Sequence, residues 1–343
     1  MEEGRSLNSV GEAKKSRVIA RRLGSRCAGM LKAQRIDLLQ QRLSGAFTDE
    51  SRLKGQDFQP RSTDVFVAGS PRSGTTWLQQ IVHQLRTGGD ADFGEIGEVV
   101  PLLEFAHDLK QDLEAEQSAF PRCFKTHYCY PRCPKGARYI WCVREPCAVA
   151  YSFFKLLEGW IFQPEEVSVE DFVGGLWLPV TVGSPKLAHN LYASYFYHLA
   201  SWWPHRNDPN VMLLFFEDLK ECYESSVQSV AEFMGITDEG HIQVALERST
   251  FEFMKQHSDR FGVKNIKKYR NSSFGISETA GLGKSKVRTG SATEGQKMLS
   301  AELCSEIQKT WESIVTPVTG CATYPELRVA WKKEKKALLS TAK

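Results

Sequence analysis

Three things are scarce in this chain. No apolar run approaches the ~18 residues that a membrane-spanning helix needs, and Glu2-Glu3 stand where a signal or transit peptide would carry positive charge, so the expectation is a cytoplasmic protein with no membrane partner. The nine cysteines are an odd number without regular spacing. Cys129 and Cys133 have no second Cys pair and no His pair at ligand distance, which argues against a metal and for reduced thiols. Net charge is small too: +3 over 343 residues gives no reason to expect a nucleic-acid partner.

What is present is the composition of a globular protein, 41% hydrophobic and 25% charged, long enough to bury a sizeable core. The little net charge is uneven. Nine Lys or Arg face three Glu between Met1 and Arg35, and Lys332, Lys333, Lys335, Lys336 and Lys343 face only Glu334 near the end. The expected organisation is a basic, partly helical extension over 1–60, a main domain over 61–327 and a basic tail over 328–343. Within the extension, Leu31, Ile36, Leu39 and Leu43 suggest a helix that gives way to a polar linker ending at Pro60.

The organising stretch is Asp64 to Leu85, DVFVAGSPRSGTTWLQQIVHQL. Val65 to Ala68 is apolar enough for a buried parallel strand, and Trp77, Ile81 and Leu85, with Leu78 and Val82 beside them, make one face of a helix. Between them, Gly69 to Gly74 allows a tight turn whose N–H groups point inward at the positive end of that helix, which is a site for an anion. The spacing nearly fits G-x-x-x-x-G-K-[ST], but Thr75 stands where the lysine of a nucleotide triphosphatase belongs, and the cation sits inside the loop as Arg72.

Further strands are expected at Arg122–Thr126, Tyr139–Val143 and Val211–Phe216, with helices at Cys147–Leu157 and from Glu217 to Met234. Strands alternating with helices predict an α/β domain with a mostly parallel central sheet flanked by helices. Lys186–Trp203 reads as a core helix with Leu191, Tyr195, Leu199 and Trp202 on one face. Gly262 to Gly295, with six glycines, reads as a long loop of the lid or binding kind, and Ser300–Val315 as a last helix.

In a parallel sheet the carboxyl ends of strands face one crevice. Four such ends carry polar groups here: Arg72, then Lys125-Thr126-His127, then Arg144 with Ser152 two turns on, and Glu217-Asp218. Two arginines, a lysine and backbone amides suit more than one phosphate-like group, and cations around His127 would keep it neutral and able to take a proton.

These residues carry a resemblance to the PAPS-dependent sulfotransferase family, its soluble small-molecule branch in particular. Ser70-Pro71-Arg72-Ser73-Gly74-Thr75-Thr76-Trp77 is similar to the family's 5′-phosphosulfate loop, Phe124-Lys125-Thr126-His127 to the K-T-H segment with the catalytic base, and Val143-Arg144-Glu145-Pro146 through Ser152 to the 3′-phosphate segment. Val100-Pro101-Leu102-Leu103-Glu104-Phe105 resembles an acceptor-pocket segment, Phe216-Glu217-Asp218-Leu219-Lys220 the Y/F-E-D-x-K strand end, Ser249-Thr250-Phe251 the T-S-F segment near adenine, and Arg288-Thr289-Gly290 the R-K-G segment on the 3′-phosphate. The matches run in order from about residue 60 to 315.

The resemblance implies a P-loop-like fold and transfer of a sulfuryl group from 3′-phosphoadenosine-5′-phosphosulfate (PAPS) to a hydroxyl or amine of a small molecule, leaving 3′,5′-diphosphoadenosine (PAP), without a metal. It implies His127 as base, Lys125 and Arg72 on the leaving side, and Leu102, Phe105, Phe153 and Phe154 as a bed for the acceptor. The departures are Arg72 for the usual lysine, Thr289 for a lysine, no G-D-W-K after Gly290, a longer stretch from Phe172 to His189, and no K-x-x-x-T-V-x-x-x-E dimerisation pattern, which leaves the oligomeric state open. Two other readings stay open: a P-loop kinase with Met212–Asp218 in place of Walker B, and a nucleotide-binding module without catalysis.

Overall fold

In the computed structural model, which describes residues 32–179, 194–281 and 285–341, the strand at the organising stretch is β1, Val65–Gly69, and every residue of it is buried. It lies between β2, Cys123–Thr126, and β3, Arg138–Val143, with β4, Val211–Phe215, beyond β3, giving the order β2-β1-β3-β4. All three pairings are parallel, and Ala68 pairs with Thr126, Gly69 with Cys142 and Val143 with Phe215, so the carboxyl ends come level on one edge of the sheet. Arg122 precedes β2, but its guanidinium holds the buried Asp64 carboxylate at 2.7 and 3.0 Å and pins the opposite ends of β1 and β2 together.

The period-2 alternation of a strand sends successive residues into two different cores. Val65, Val67, Ile140, Cys142 and Leu214 face one layer of helices, α3 (Thr75–Thr87), α6 (Tyr223–Met234) and α7 (Glu239–Arg248). Phe66, Ala68, Phe124, Tyr139, Trp141 and Phe215 face the other, built from α1 (Lys32–Ser44), α4 (Pro146–Leu157), α5 (Tyr195–Trp202), α8 (Ala301–Ile314) and α9 (Tyr324–Thr341). A single α/β domain results, its sheet covered on both faces.

Several elements differ from the sequence expectation. The stretch expected as a polar linker holds a second helix, α2 (Asp49–Asp57), which Thr48 caps by accepting from Ser51 N at 3.0 Å. Gly55 lets α2 press against the chain at Leu103, whose carbonyl would lie 2.6 Å from any Cβ there. Leu39, Leu43 and Phe58 are buried in the main core, so 32–58 is integral to the domain; Leu31 lies outside the described residues.

Of the expected helix at Lys186–Trp203, the described part is α5, started by Ser194, with Tyr195, Leu199 and Trp202 buried as expected. Leu191 and most of the 172–189 stretch fall outside the described residues. The segment 262–295 is not one loop. It contains the helix Lys264–Arg270, and then the Asn271 amide donates to the carbonyls of Ser277, Glu278 and Ala280 at 3.0 to 3.3 Å, a side chain doing what periodic backbone bonds do elsewhere.

The tail over 328–341 is helical and docked as the later part of α9. Leu327 and Trp331 are buried, and Arg206 pairs with Glu334 at 2.9 Å. Lys332, Lys333, Lys335 and Lys336 stay exposed. The eight cysteines among the described residues are free thiols. No described helix is long and apolar enough to cross a membrane.

Candidate active site

The loop after β1 folds back on itself, Ser73 N donating to Ser70 O at 3.1 Å, and enters α3 through Gly74 at φ 109°. A side chain there would be strained by that backbone and would meet the Phe216 ring at 2.8 Å, which is why the position needs glycine. Arg72 also has a left-handed backbone, φ 74°. Its Nε donates to Ser152 Oγ at 3.0 Å and its Nη2 to Lys286 O at 3.2 Å, tying the loop to α4 and to the 285–294 segment. Arg144 follows β3. It donates to Arg72 O at 3.1 Å and to Ser291 O at 2.6 Å, with its guanidinium 4.3 Å from the Phe216 ring centre.

At the end of β2, Lys125, Thr126 and His127 are buried at 4%, 0% and 5% exposure. His127 Nδ1 lies 2.5 Å from Gly69 O. A carbonyl can only accept, so Nδ1 carries the hydrogen and Nε2 carries the lone pair. The Glu104 carboxylate accepts from His127 N at 2.6 Å and from Thr126 Oγ1 at 3.0 Å, fixing the backbone at the strand end.

The electrostatics are those of cations crowded in a low dielectric. Burial first and Lys125 second hold the His127 pKa well below the ordinary value. Burial, then Lys286 and Arg72, hold Lys125 well below its own. Burial, then Arg144 and Arg288, lower Arg72 to about 9, and Lys286 falls to about 8, again chiefly by burial. Glu104 is pushed up to about 7 by burial, against the hydrogen bonds that favour its charge.

The other expected residues fall into two groups. Thr75, Thr76, Trp77, Phe216, Phe251, Arg288, Thr289 and Gly290 line, with Arg72, Gly74, Lys125, His127, Arg144 and Ser152, one cavity of about 350 Å³. Leu102, Phe105 and Phe153 line its apolar part. Ser73 and Ser249 lie behind the wall, fully buried; Ser249 O accepts from Trp77 Nε1 at 2.6 Å, and Trp77 stacks on Tyr223 at 5.7 Å.

Phe154 is the residue the structure places elsewhere. One step along α4 turns it away from the cavity face of Phe153 and Leu157, and it packs on Phe162 and Phe172 in the core at 5.5 and 5.7 Å. Arg288 and Thr289 are engaged within their own segment: Glu294 accepts from Arg288 Nη1 at 2.6 Å and from Thr289 Oγ1 at 2.7 Å.

Three contributions were missed from sequence. Lys286 lines the cavity two residues before Arg288, from a segment with no periodicity to place it. Glu104 sat in an apolar patch, where a lone carboxylate is itself the signal of a buried role. Leu43, Ala46, Ile266 and Phe274, drawn from segments that read as extension and loop, complete the apolar wall with Trp160, which follows α4.

A family model described as "Sulfotransferase domain" matches residues 62–313. Among curated proteins, the amine sulfotransferase of Oryctolagus cuniculus is 31% identical over 211 residues, 59% of this chain and 66% of that protein. Sulfotransferase 1E1 of Bos taurus is 29% identical over 217 residues, 59% of this chain and 69% of that one. Two solved structures share the fold. Mouse sulfotransferase SULT7A1 complexed with PAP superposes with a TM-score of 0.54 at 20% identity, over 78% of this chain and 90% of that one. Retinol dehydratase in complex with androsterone and inactive cofactor PAP does so at 0.58 and 21%, over 78% and 85%. The anion loop, the cationic strand ends and these matches agree: the chain belongs to the PAPS-dependent sulfotransferase family, enzymes that pass a sulfuryl group from PAPS to a small-molecule acceptor.

Proposed function

We propose that this cavity moves a sulfuryl group from PAPS to a hydroxyl or amine of an apolar small molecule, with His127 as the base. The observation that carries the reading is a set of buried cations without anionic partners beside a histidine whose Nε2 bears the lone pair. Among the described residues, neither Lys125 Nζ nor Lys286 Nζ has a hydrogen bond or ion pair, and the buried Ser73 Oγ and Arg144 Nε are also unpartnered. Polar groups left so are costly unless a ligand satisfies them; Ser73 lies behind the wall, and the three cationic groups, which line the cavity, suit an anion.

Bound there, PAPS supplies the group to be transferred and a phosphate to leave. His127 Nε2 takes the acceptor proton, while the Nδ1 bond to Gly69 O keeps the ring in the tautomer that can do so. Lys125 and Arg72 hold positive charge where negative charge builds on the leaving side. The amides of Ser73 to Thr76 bind the 5′-phosphate at the start of α3, and Arg144, Ser152 and Arg288 bind the 3′-phosphate. Trp77, Ser249 and Phe251 form the surroundings of the adenine. Leu102, Phe105 and Phe153 exclude water and hold the acceptor's apolar body.

The kinase alternative needs a carboxylate at the end of β4 free to hold a metal. Asp218 is instead paired with Arg328 and with Lys332 at 2.7 Å, and Glu217 accepts from the Tyr324 hydroxyl and from Glu145 N.

Labelled PAPS with a mixed acceptor library provides the test, and label on an acceptor hydroxyl or amine is the expected result. His127→Ala should lower transfer by at least ~10²-fold with PAP binding in calorimetry nearly unchanged. Loss of PAP binding in that variant would make His127 structural. A thermal shift with PAP but no transfer to any acceptor would favour the non-catalytic module, and turnover of Mg²⁺-ATP would favour the kinase.

A further inference from the structure

We infer that Lys286 is a second catalytic lysine of this enzyme: its ammonium joins Lys125 and Arg72 around the donor's sulfuryl end, brought there by the 285–294 segment. The inference rests on the reading of the cavity as the PAPS site.

The placement is geometric. Lys286 lines the cavity, its backbone N donates to Phe261 O at 2.9 Å, and its carbonyl accepts from Arg72 Nη2 at 3.2 Å, so both peptide groups of the residue are fixed. Its side chain lies near enough to Lys125 and His127 to disfavour the protonation of both. Facing it are Arg72 from the loop after β1, Lys125 and His127 from β2, and Glu95 from the turn before the short helix Ile96–Val99. Next to it in the chain, Val287 O and Arg288 O accept from Lys255 Nζ at 3.4 and 3.2 Å, which closes that side with more positive charge.

Glu95 favours the charge on Lys286 from a distance, against burial and Arg72, without pairing with it. Its carboxylate accepts instead from the amides of Lys264 and Asn265 at 2.9 and 3.1 Å, and no ion pair joins the two side chains among the described residues. A cation held beside two others, with its carboxylate neighbour engaged elsewhere, is matched to an anion that arrives with the donor. An ammonium also supplies what the Arg72 loop lacks. Its charge is concentrated on one nitrogen, while a guanidinium spreads it over a plane.

The protonation of this group gives a readout that does not depend on turnover. With its pKa lowered to about 8, chiefly by burial, Lys286 is partly neutral at pH 8. Capture of an anion favours the charged form and draws a proton in. Calorimetric titration of the full chain with PAP at pH 8, in two buffers of different ionisation enthalpy, should register proton uptake. Lys286→Met should lower that uptake, leaving what Lys125 and Arg72 contribute, should weaken PAP by roughly tenfold, as expected for one charge-assisted contact, and should lower kcat by ~10²-fold. Lys286→Arg should keep most of the affinity and much of the turnover but show less uptake than the unaltered chain, because a guanidinium holds its proton at a higher pH than an ammonium. Lys125, whose pKa burial also holds well below its ordinary value, takes up its own share, so Lys125→Met should remove that share and leave the Lys286 share in place.

Melting curves identify any variant that fails to fold, and Lys286→Arg then carries the test. The inference is overturned if Lys286→Arg shows the same proton uptake as the unaltered chain, or if Lys286→Met turns over normally. If Arg144→Ala weakens PAP while Lys286→Met does not, the donor site stands and only the role of Lys286 falls. If the unaltered chain does not bind PAP, both fall together.

Discussion

The β1–β2 half of the site and the 286–294 half meet in one cavity, yet they are built on different principles. Arg72, Lys125 and His127 are set by two neighbouring parallel strands whose register makes their ends level, with Gly69 O and Glu104 holding the imidazole and the backbone behind it. Lys286, Arg288 and Thr289 come from irregular chain held by side chains: Arg72 on Lys286 O, Glu294 on Arg288 and Thr289, Lys220 on Gly290 O at 2.8 Å. The first half is rigid for reasons of backbone. The second is ordered by contacts that a ligand can exchange, which suits it to adjusting affinity, with Lys286 as the point where it also reaches into the chemistry.

Arg72 is where that division is tested most severely. Arg72→Ala should lower kcat by roughly 10²–10³-fold, the scale of one lost oxyanion donor, with a smaller change in PAPS affinity, because charge on the leaving side builds only as the bond breaks. Arg72→Lys should stay active with some loss, since the ammonium keeps the charge but gives up the Nε bond to Ser152. Steady-state kinetics on both variants decide it. An alanine enzyme with unchanged kcat would reduce Arg72 to a turn residue and dissolve the contrast between the halves.

Glu104 tests the rigidity of the strand half. Its folded pKa of about 7 stands above the ordinary 4.5, so the folded chain binds the proton more tightly than the unfolded one. The stability this contributes is full below about 4.5 and is lost as pH rises through about 7, a difference of about 3 kcal/mol from this one group. Glu104→Gln keeps an acceptor for His127 N and Thr126 without the ionisation. Denaturant midpoints at pH 5 and pH 8 should therefore lie closer together in the variant, and an unaltered gap would mean that Glu104 does not titrate in this window.

Much of the strand half could be read from sequence because a strand has a direction and an end. Once Val65–Ala68 and Arg122–Thr126 are strands, the polar residues at their ends have only one crevice to face. Ser73, Ser249 and Phe154 show the limit of that reasoning. Sequence order put each beside the right neighbours, but whether a side chain enters the cavity or lies behind its wall depends on local backbone direction: for Phe154 on a rotation of about 100° per helical residue, for Ser73 and Ser249 on the turns that hold them. Lys286 and Glu294 had no periodicity to reveal them, since their positions follow from long-range bonds such as Arg72 to Lys286 O. The apolar wall from Leu43, Ala46 and Phe274 was hidden for the same reason.

The smallest expected effect belongs to the loop half. Arg288 and Glu294 are 33% and 24% exposed, and an ion pair so placed is worth ~0.2–1 kcal/mol. Glu294→Gln should free Arg288 for a phosphate and tighten PAP by roughly two- to fivefold, with no change for adenosine 5′-phosphate, which lacks the 3′ group. Calorimetry with the two nucleotides checks this, and equal changes would detach Arg288 from the 3′-phosphate.

The peptide unit at Gly69 has two neighbours to answer to. Its carbonyl holds the hydrogen on His127 Nδ1, and the next residue, Ser70, opens the loop that grips the donor. One rigid plane of atoms therefore reports to both substrates. On the proposed function, tilting it to suit the nucleotide would re-aim the imidazole, so a chain that grips its donor badly should also point its base badly. Distance between the two substrates is gauged by a single amide, and damage to either grip should appear as misalignment of the other.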